Sequence, residues 1–170
     1  MTRRKFPWIK FVVGIVLFAL FHQLYDIFPS TLTAVLAEGG EENIFAHMKM
    51  LFYPYLLITI VDYFLYRRRG KLDDSFIYAR LLILVGVPWV MISFFYVPES
   101  LGFSLGEPGT LIFSILISWL GVYTAIRLEE PLEATYYRPV VKVLLWLFFI
   151  TAIIIFTGFT FNAPVHDFFF

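Results

Sequence analysis

Apolar positions dominate this chain in five long runs, residues 11–28, 44–66, 77–97, 110–128 and 140–161, separated by short polar connections. Each run is long enough to cross a ~30 Å hydrocarbon core, which takes about 20 apolar residues at 1.5 Å of rise per residue. The pattern predicts an all-α fold, a polytopic membrane bundle of five transmembrane helices. Nothing resembles an interdomain linker or an internal repeat, so residues 1–170 read as a single transmembrane domain.

Breaks within this pattern predict local geometry. Pro54 and Pro88 fall inside the second and third runs, where each removes a backbone hydrogen bond and should kink its helix. Residues 30–36 are apolar but too short to span; Ser30 or Thr31 can cap a helical turn there. A short interfacial or re-entrant segment is therefore expected after helix 1. Gly39 and Gly40 then permit a sharp turn, and Glu41, Glu42 and Asn43 supply acceptors suited to the amino terminus of the second span.

Charge fixes the expected orientation. Lys and Arg are retained on the cytoplasmic side of a membrane, whereas acidic residues have little influence. Arg3, Arg4, Lys5 and Lys10 precede or begin the first span, Arg67, Arg68, Arg69, Lys71 and Arg80 cluster at the second connection, and Arg127, Arg138 and Lys142 at the fourth. The other connections and the tail after Phe161 contain no basic residue, and Lys49 alone is left on the outer side. The amino terminus is thus expected inside and the carboxyl terminus outside. A basic start before an apolar run also describes a secretory signal peptide, with Val35 and Ala37 as small residues before a cleavage site. The apolar run ends too far upstream of them, and a permanent first span is expected.

Composition agrees and excludes several functions. With 60% hydrophobic and 21% aromatic residues and a mean hydropathy of +0.80, the chain is too apolar for a soluble domain of its size. It contains no cysteine, which removes disulfides, thiolate metal sites and thiol relays such as those of quinone-linked disulfide oxidases. The formal net charge is zero and topology explains the short basic clusters, so no nucleic acid partner is expected. The abundant Phe and the four tryptophans, Trp8, Trp89, Trp119 and Trp146, read as lipid-facing filler and interface anchors.

Against that background the histidines stand out. His22 near the end of the first span, His47 at the start of the second and His166 after the fifth all fall at the outer face. Asp26 lies one helical turn beyond His22, where its carboxylate can orient the imidazole or share a cation with it. His22, Asp26, His47 and His166 form a sufficient ligand set for Zn²⁺ or another divalent metal with an open position. Such a metal would lower the pKa of a bound water to about 7, with Glu42 or Glu41 as the group that takes the proton. Asn43, Lys49 and Asp167 complete the expected polar site. The implied activity is metal-dependent hydrolysis of a lipid or lipid-linked substrate at the outer leaflet.

Other readings of the same residues stand beside it. Histidines near helix ends also serve as interface residues or as halves of buried hydrogen bonds, and no pair here has the tight His-Glu-x-x-His spacing of a zinc helix. The set can instead bind a proton, an ion or a small polar ligand in a carrier or sensor, or act as structural glue in a partner subunit. Bis-histidine haem between His22 and His47 is disfavoured, because both lie near the surface. Lys49 can neutralise Glu41, Glu42 or an anionic head group, or snorkel to the interface. Asp62 is expected in a salt bridge at the cytoplasmic face, near Arg67 and Arg68. The lipid bilayer is the one partner implied outright; the oligomeric state is left open.

The run Glu41-Glu42-Asn43-Ile44-Phe45-Ala46-His47-Met48-Lys49-Met50-Leu51-Phe52-Tyr53-Pro54 resembles the signature of a family of small prokaryotic multi-span membrane proteins known only as a domain of unknown function. Glu42, His47, Lys49 and Pro54 match that motif, whereas Glu41, Asn43, Phe45 and Ala46 depart from it. His22 to Tyr25 and Pro164 to His166 resemble two further elements of the family. The resemblance implies a prokaryotic cytoplasmic membrane protein and supplies no activity. A looser likeness, in ligand type alone, is to the membrane hydrolases of the alkaline ceramidase and adiponectin receptor group. This chain lacks their carboxyl-terminal His-x-x-x-His.

Overall fold

The computed structural model describes residues 6–37 and 44–162, all in helices and the connections between them. The order is α1 (Trp8–Ile27), α2 (Thr31–Leu36), α3 (Ile44–Arg68), α4 (Asp74–Phe95), α5 (Val97–Ser100), α6 (Gly106–Glu133) and α7 (Pro139–Phe161). Five of these, α1, α3, α4, α6 and α7, are long and apolar enough to cross a membrane. A helix meets all its interior backbone hydrogen bonds within itself, which is what a span in hydrocarbon requires. The protein is thus a five-span helical bundle, as the hydrophobic pattern predicts.

The five spans alternate in direction. One end of the bundle therefore collects the start of α1, the end of α3, the start of α4, the end of α6 and the start of α7. This is the end that carries the Arg and Lys clusters, and it is called the basic end below. The opposite end holds the last turns of α1, α2, the first turns of α3, α5 and the last turns of α7.

α4 is the most buried span and α1 the least. α4 packs against α3, α6 and α7, while α1 lies on α3 and α6. The main core gathers Phe52, Tyr55, Ile83, Leu84, Val87 and Met91 with Ala125 and Phe156. Lipid is as apolar as these side chains, so close packing and polar contacts, not hydrophobic driving force, hold the spans together. Small residues show where backbones approach: a Cβ at Gly14 of α1 would lie 2.6 Å from Val122 Cγ1 of α6, and one at Gly121 would lie 2.9 Å from Met91 Cγ. Trp8, Trp89, Trp119 and Trp146 are exposed on the outside of the bundle, as interface and lipid-facing residues are.

The short segment after helix 1 is a helix, α2. Ser30 caps it: its hydroxyl accepts from the Thr33 amide while Thr33 Oγ1 accepts from the Ser30 amide, a reciprocal capping box. α2 docks on α1, α3 and α7 at the opposite end of the bundle, with Ala37 fully buried. The turn expected at Gly39 and Gly40 lies outside the described residues. Pro54 and Pro88 are inside α3 and α4, and both line a small apolar space between the helices.

The largest departure from the pattern is α6. Its apolar run ends at 128, yet the helix continues to Glu133 through Glu129, Glu130 and Pro131. Hydropathy registers those carboxylates as the end of a span. The bundle instead supplies cations that let the helix carry them inward.

Candidate functional site

Six side chains from four helices meet inside the basic end. α1 contributes Lys10 from its first turn, α3 Tyr55 and Asp62, α4 Arg80, and α6 Glu129 and Glu133. Helical spacing explains each alignment: Tyr55 and Asp62 are two turns apart on one face of α3, and Glu129 and Glu133 one turn apart on α6.

Arg80 is the hub. Its side chain is 1% exposed, and its guanidinium lies over the Phe76 ring, 4.8 Å from the centroid. Nη2 donates to Glu133 Oε1 at 2.7 Å and contacts Asp62 Oδ2 at 3.4 Å, while Nη1 donates to the Tyr55 hydroxyl at 2.8 Å and pairs with Glu129. The planar fork of an arginine suits this multiple engagement, which a lysine could not reproduce. Lys10 pairs with both Asp62 and Glu129, and the Tyr55 hydroxyl donates to Glu129 Oε1 at 2.9 Å. Among the described residues, written fully ionised, three carboxylates share two cations, an excess of one negative charge.

Two spaces border this network. On its outer side a cleft of about 150 Å³ is lined by Phe6, Tyr66, Arg127, Glu129, Glu130 and Glu133. On its inner side a small apolar void of about 20 Å³ is lined by Gly14, Pro54, Leu84, Pro88, Gly121 and Tyr55 among others. Among the described residues Tyr55 is the one polar side chain on that wall, and it lies between the apolar void and the charged groups. Nearby, on the connection before α7, Tyr137 is buried and donates to the Leu132 carbonyl at 3.0 Å. Burial first, and the Glu133 charge second, push its phenol above the ordinary tyrosine value.

The sequence-predicted site lies at the opposite end. His22 is half-buried and Asp26 exposed near the end of α1, and His47 is half-buried at the start of α3, its ring 6.5 Å from that of Phe95. Antiparallel packing therefore brings His22 and His47 to one end. Lys49 does not extend to the interface. It is 3% exposed, and its ammonium donates to the Ala34 carbonyl of α2 at 2.9 Å and to Thr160 Oγ1 of α7 at 3.0 Å, tying three elements together. Glu41, Glu42, Asn43, His166 and Asp167 lie outside the described residues. Among the described residues no group of three His, Asp or Glu side chains is placed to hold a metal ion.

Asp62 is in a salt bridge at the basic end, as expected, but its partners are Lys10 and Arg80. Arg67 and Arg68 are exposed. Sequence reasoning assigned Lys10 and Arg80 to topology and passed over Glu129, Glu133 and Tyr55. The available signal was position within the helices: Arg80 sits six residues inside α4, and Glu129 lies four residues before the end of α6. Compared with protein-family models, curated proteins and solved structures, the chain matches none.

Proposed function

We propose that this is a proton-binding membrane protein, a sensor or carrier, whose titrating element is the ionic network at the basic end. The single observation that supports this is the charge imbalance of Asp62, Glu129 and Glu133 against Lys10 and Arg80 inside the bundle. An uncompensated charge in low dielectric is costly, and uptake of one proton cancels it. The groups facing the network are Lys10 from α1, Tyr55, Asp62 and Tyr66 from α3, Arg80 from α4, and Arg127, Glu129, Glu130 and Glu133 from α6. Neither described histidine, His22 or His47, is among them. The motif around His47 adds the expectation of a prokaryotic cytoplasmic membrane.

Infrared difference spectroscopy on the protein in lipid nanodiscs tests this. Acidification should produce the carbonyl band of one protonated carboxyl, and Glu129→Gln, which balances the network at two acids and two bases, should abolish it while the protein stays folded. A spectrum without a pH-dependent carboxyl band would remove the proposal.

A second reading concerns the other end, which carries both His22 and His47. A metal-dependent hydrolase of a lipid or lipid-linked substrate, with Glu42 as base and His166 as a further ligand, requires near-stoichiometric divalent metal in untagged protein. That metal should disappear in His47→Ala. Zinc-supplied cells yielding metal-free protein would exclude it.

A further inference from the structure

Two buried polar atoms beside the network make no hydrogen bond among the described residues: Thr59 Oγ1 and Arg80 Nε. Helical spacing places Thr59 between Tyr55 and Asp62 on the α3 face that meets the network, so α3 presents Tyr55, Thr59, Asp62 and Tyr66 as one polar stripe running to the basic end. Tyr66 at the far end of that stripe lines the cleft of about 150 Å³, together with Glu129 and Glu133. A buried donor or hydroxyl in a polar site is where proteins hold water, because water completes the missing hydrogen bonds.

The stripe has no continuation. Beyond Tyr55 the void of about 20 Å³ offers water no second polar side chain, and an apolar cavity of that kind stays dry. Past it, Met50, Phe52 and Met91 are packed at 0%, 0% and 3% exposure, which closes the route to the opposite end.

We infer that water reaches the network from the basic end, through the Phe6–Tyr66–Glu133 cleft and past Thr59, as far as the Tyr55 hydroxyl, and that the bundle is sealed beyond it. The proton thus comes and goes from one side of the membrane. This deepens the proton-binding reading and rests on it. A one-sided path makes the resting protein a sensor of the compartment at its basic end; a carrier would need a second conformation that opens the other side.

The absence of native cysteine allows a clean test by single-cysteine labelling in membrane vesicles of both orientations. The probe is a small, membrane-impermeant trimethylammonium methanethiosulfonate, whose positive charge suits the carboxylate-rich cleft. Thr59→Cys should be labelled when the probe is on the basic side and not from the opposite side, as should the exposed control Arg69→Cys. Leu84→Cys, on the void wall, should resist labelling from both. A folded Thr59→Cys that stays unlabelled while Arg69→Cys reacts, or that reacts from the opposite side, would overturn the path, and labelling of Leu84→Cys would overturn the seal. The carboxyl band answers separately: labelled Thr59→Cys without a pH-dependent band keeps the water path and removes the proton reading.

Discussion

Arg80 shows how far one residue's role depends on its surroundings. In water an arginine is cheap to expose; here it is fully enclosed and engages Tyr55, Asp62, Glu129 and Glu133 at once. Replacing a buried ion pair by apolar groups of matching shape is often harmless, whereas removing one partner strands the other charges. Arg80→Ala should therefore destabilise the bundle by about 3–5 kcal/mol, the range for broken buried pairs, measured as loss of folded protein on thermal challenge in detergent. Restoring neutrality with Glu129→Gln and Glu133→Gln in the same chain should recover part of that loss. If the triple variant is no better than Arg80→Ala alone, packing of the guanidinium on Phe76 outweighs its charge.

Among the five spans, α1 is the least buried. It buries Gly14 alone, and its fixed points are the Lys10 pairs at one end and the close approach of Gly14 to Val122 midway. A methyl group at Gly14 has no room to fit, because Val122 is stiff at χ1 and cannot swing away as a long flexible side chain would. Gly14→Ala should push α1 off α6, weaken the Lys10 contacts and raise hydrogen exchange along α1 while α4 stays protected. Uniform exchange across both helices would show that α1 is no separate unit. α6 makes the complementary point. Its acidic last turns persist as helix because Lys10 and Arg80 meet Glu129 and Glu133 there, so the element's length is set by its neighbours.

Across the whole molecule the two polar regions are kept apart by the apolar core of Phe52, Leu84, Met91 and Phe156. Sites separated by well over 7–10 Å with no shared partners behave additively. His47→Ala should accordingly leave the carboxyl band of the basic end unchanged, and Glu129→Gln should leave any metal content unchanged. Cross-effects in either direction would reveal a conformational link between the ends. Lys49, buried, bonds Ala34 and Thr160 at one end, and Lys10, partly buried, pairs with Asp62 and Glu129 at the other, so a lysine at each end joins separate helices.

The sequence by itself determined the number of spans, their approximate limits, the capped segment at Ser30 and which connections carry basic charge. These depend on local hydropathy, side-chain chemistry at one turn and simple counts. It also put His22 and His47 at the same end of the bundle, since one closes the first span and the other opens the second. Tertiary structure alone decided that Lys10, Tyr55, Asp62, Arg80, Glu129 and Glu133 converge. That outcome depends on the angular phase of α1, α3, α4 and α6 and on which helices are neighbours, and neither is written in the order of apolar and polar residues. Asp62 illustrates the difference: the nearest cations along the chain, Arg67 and Arg68, face outward, and the ones that reach it come from helices 52 and 18 residues away.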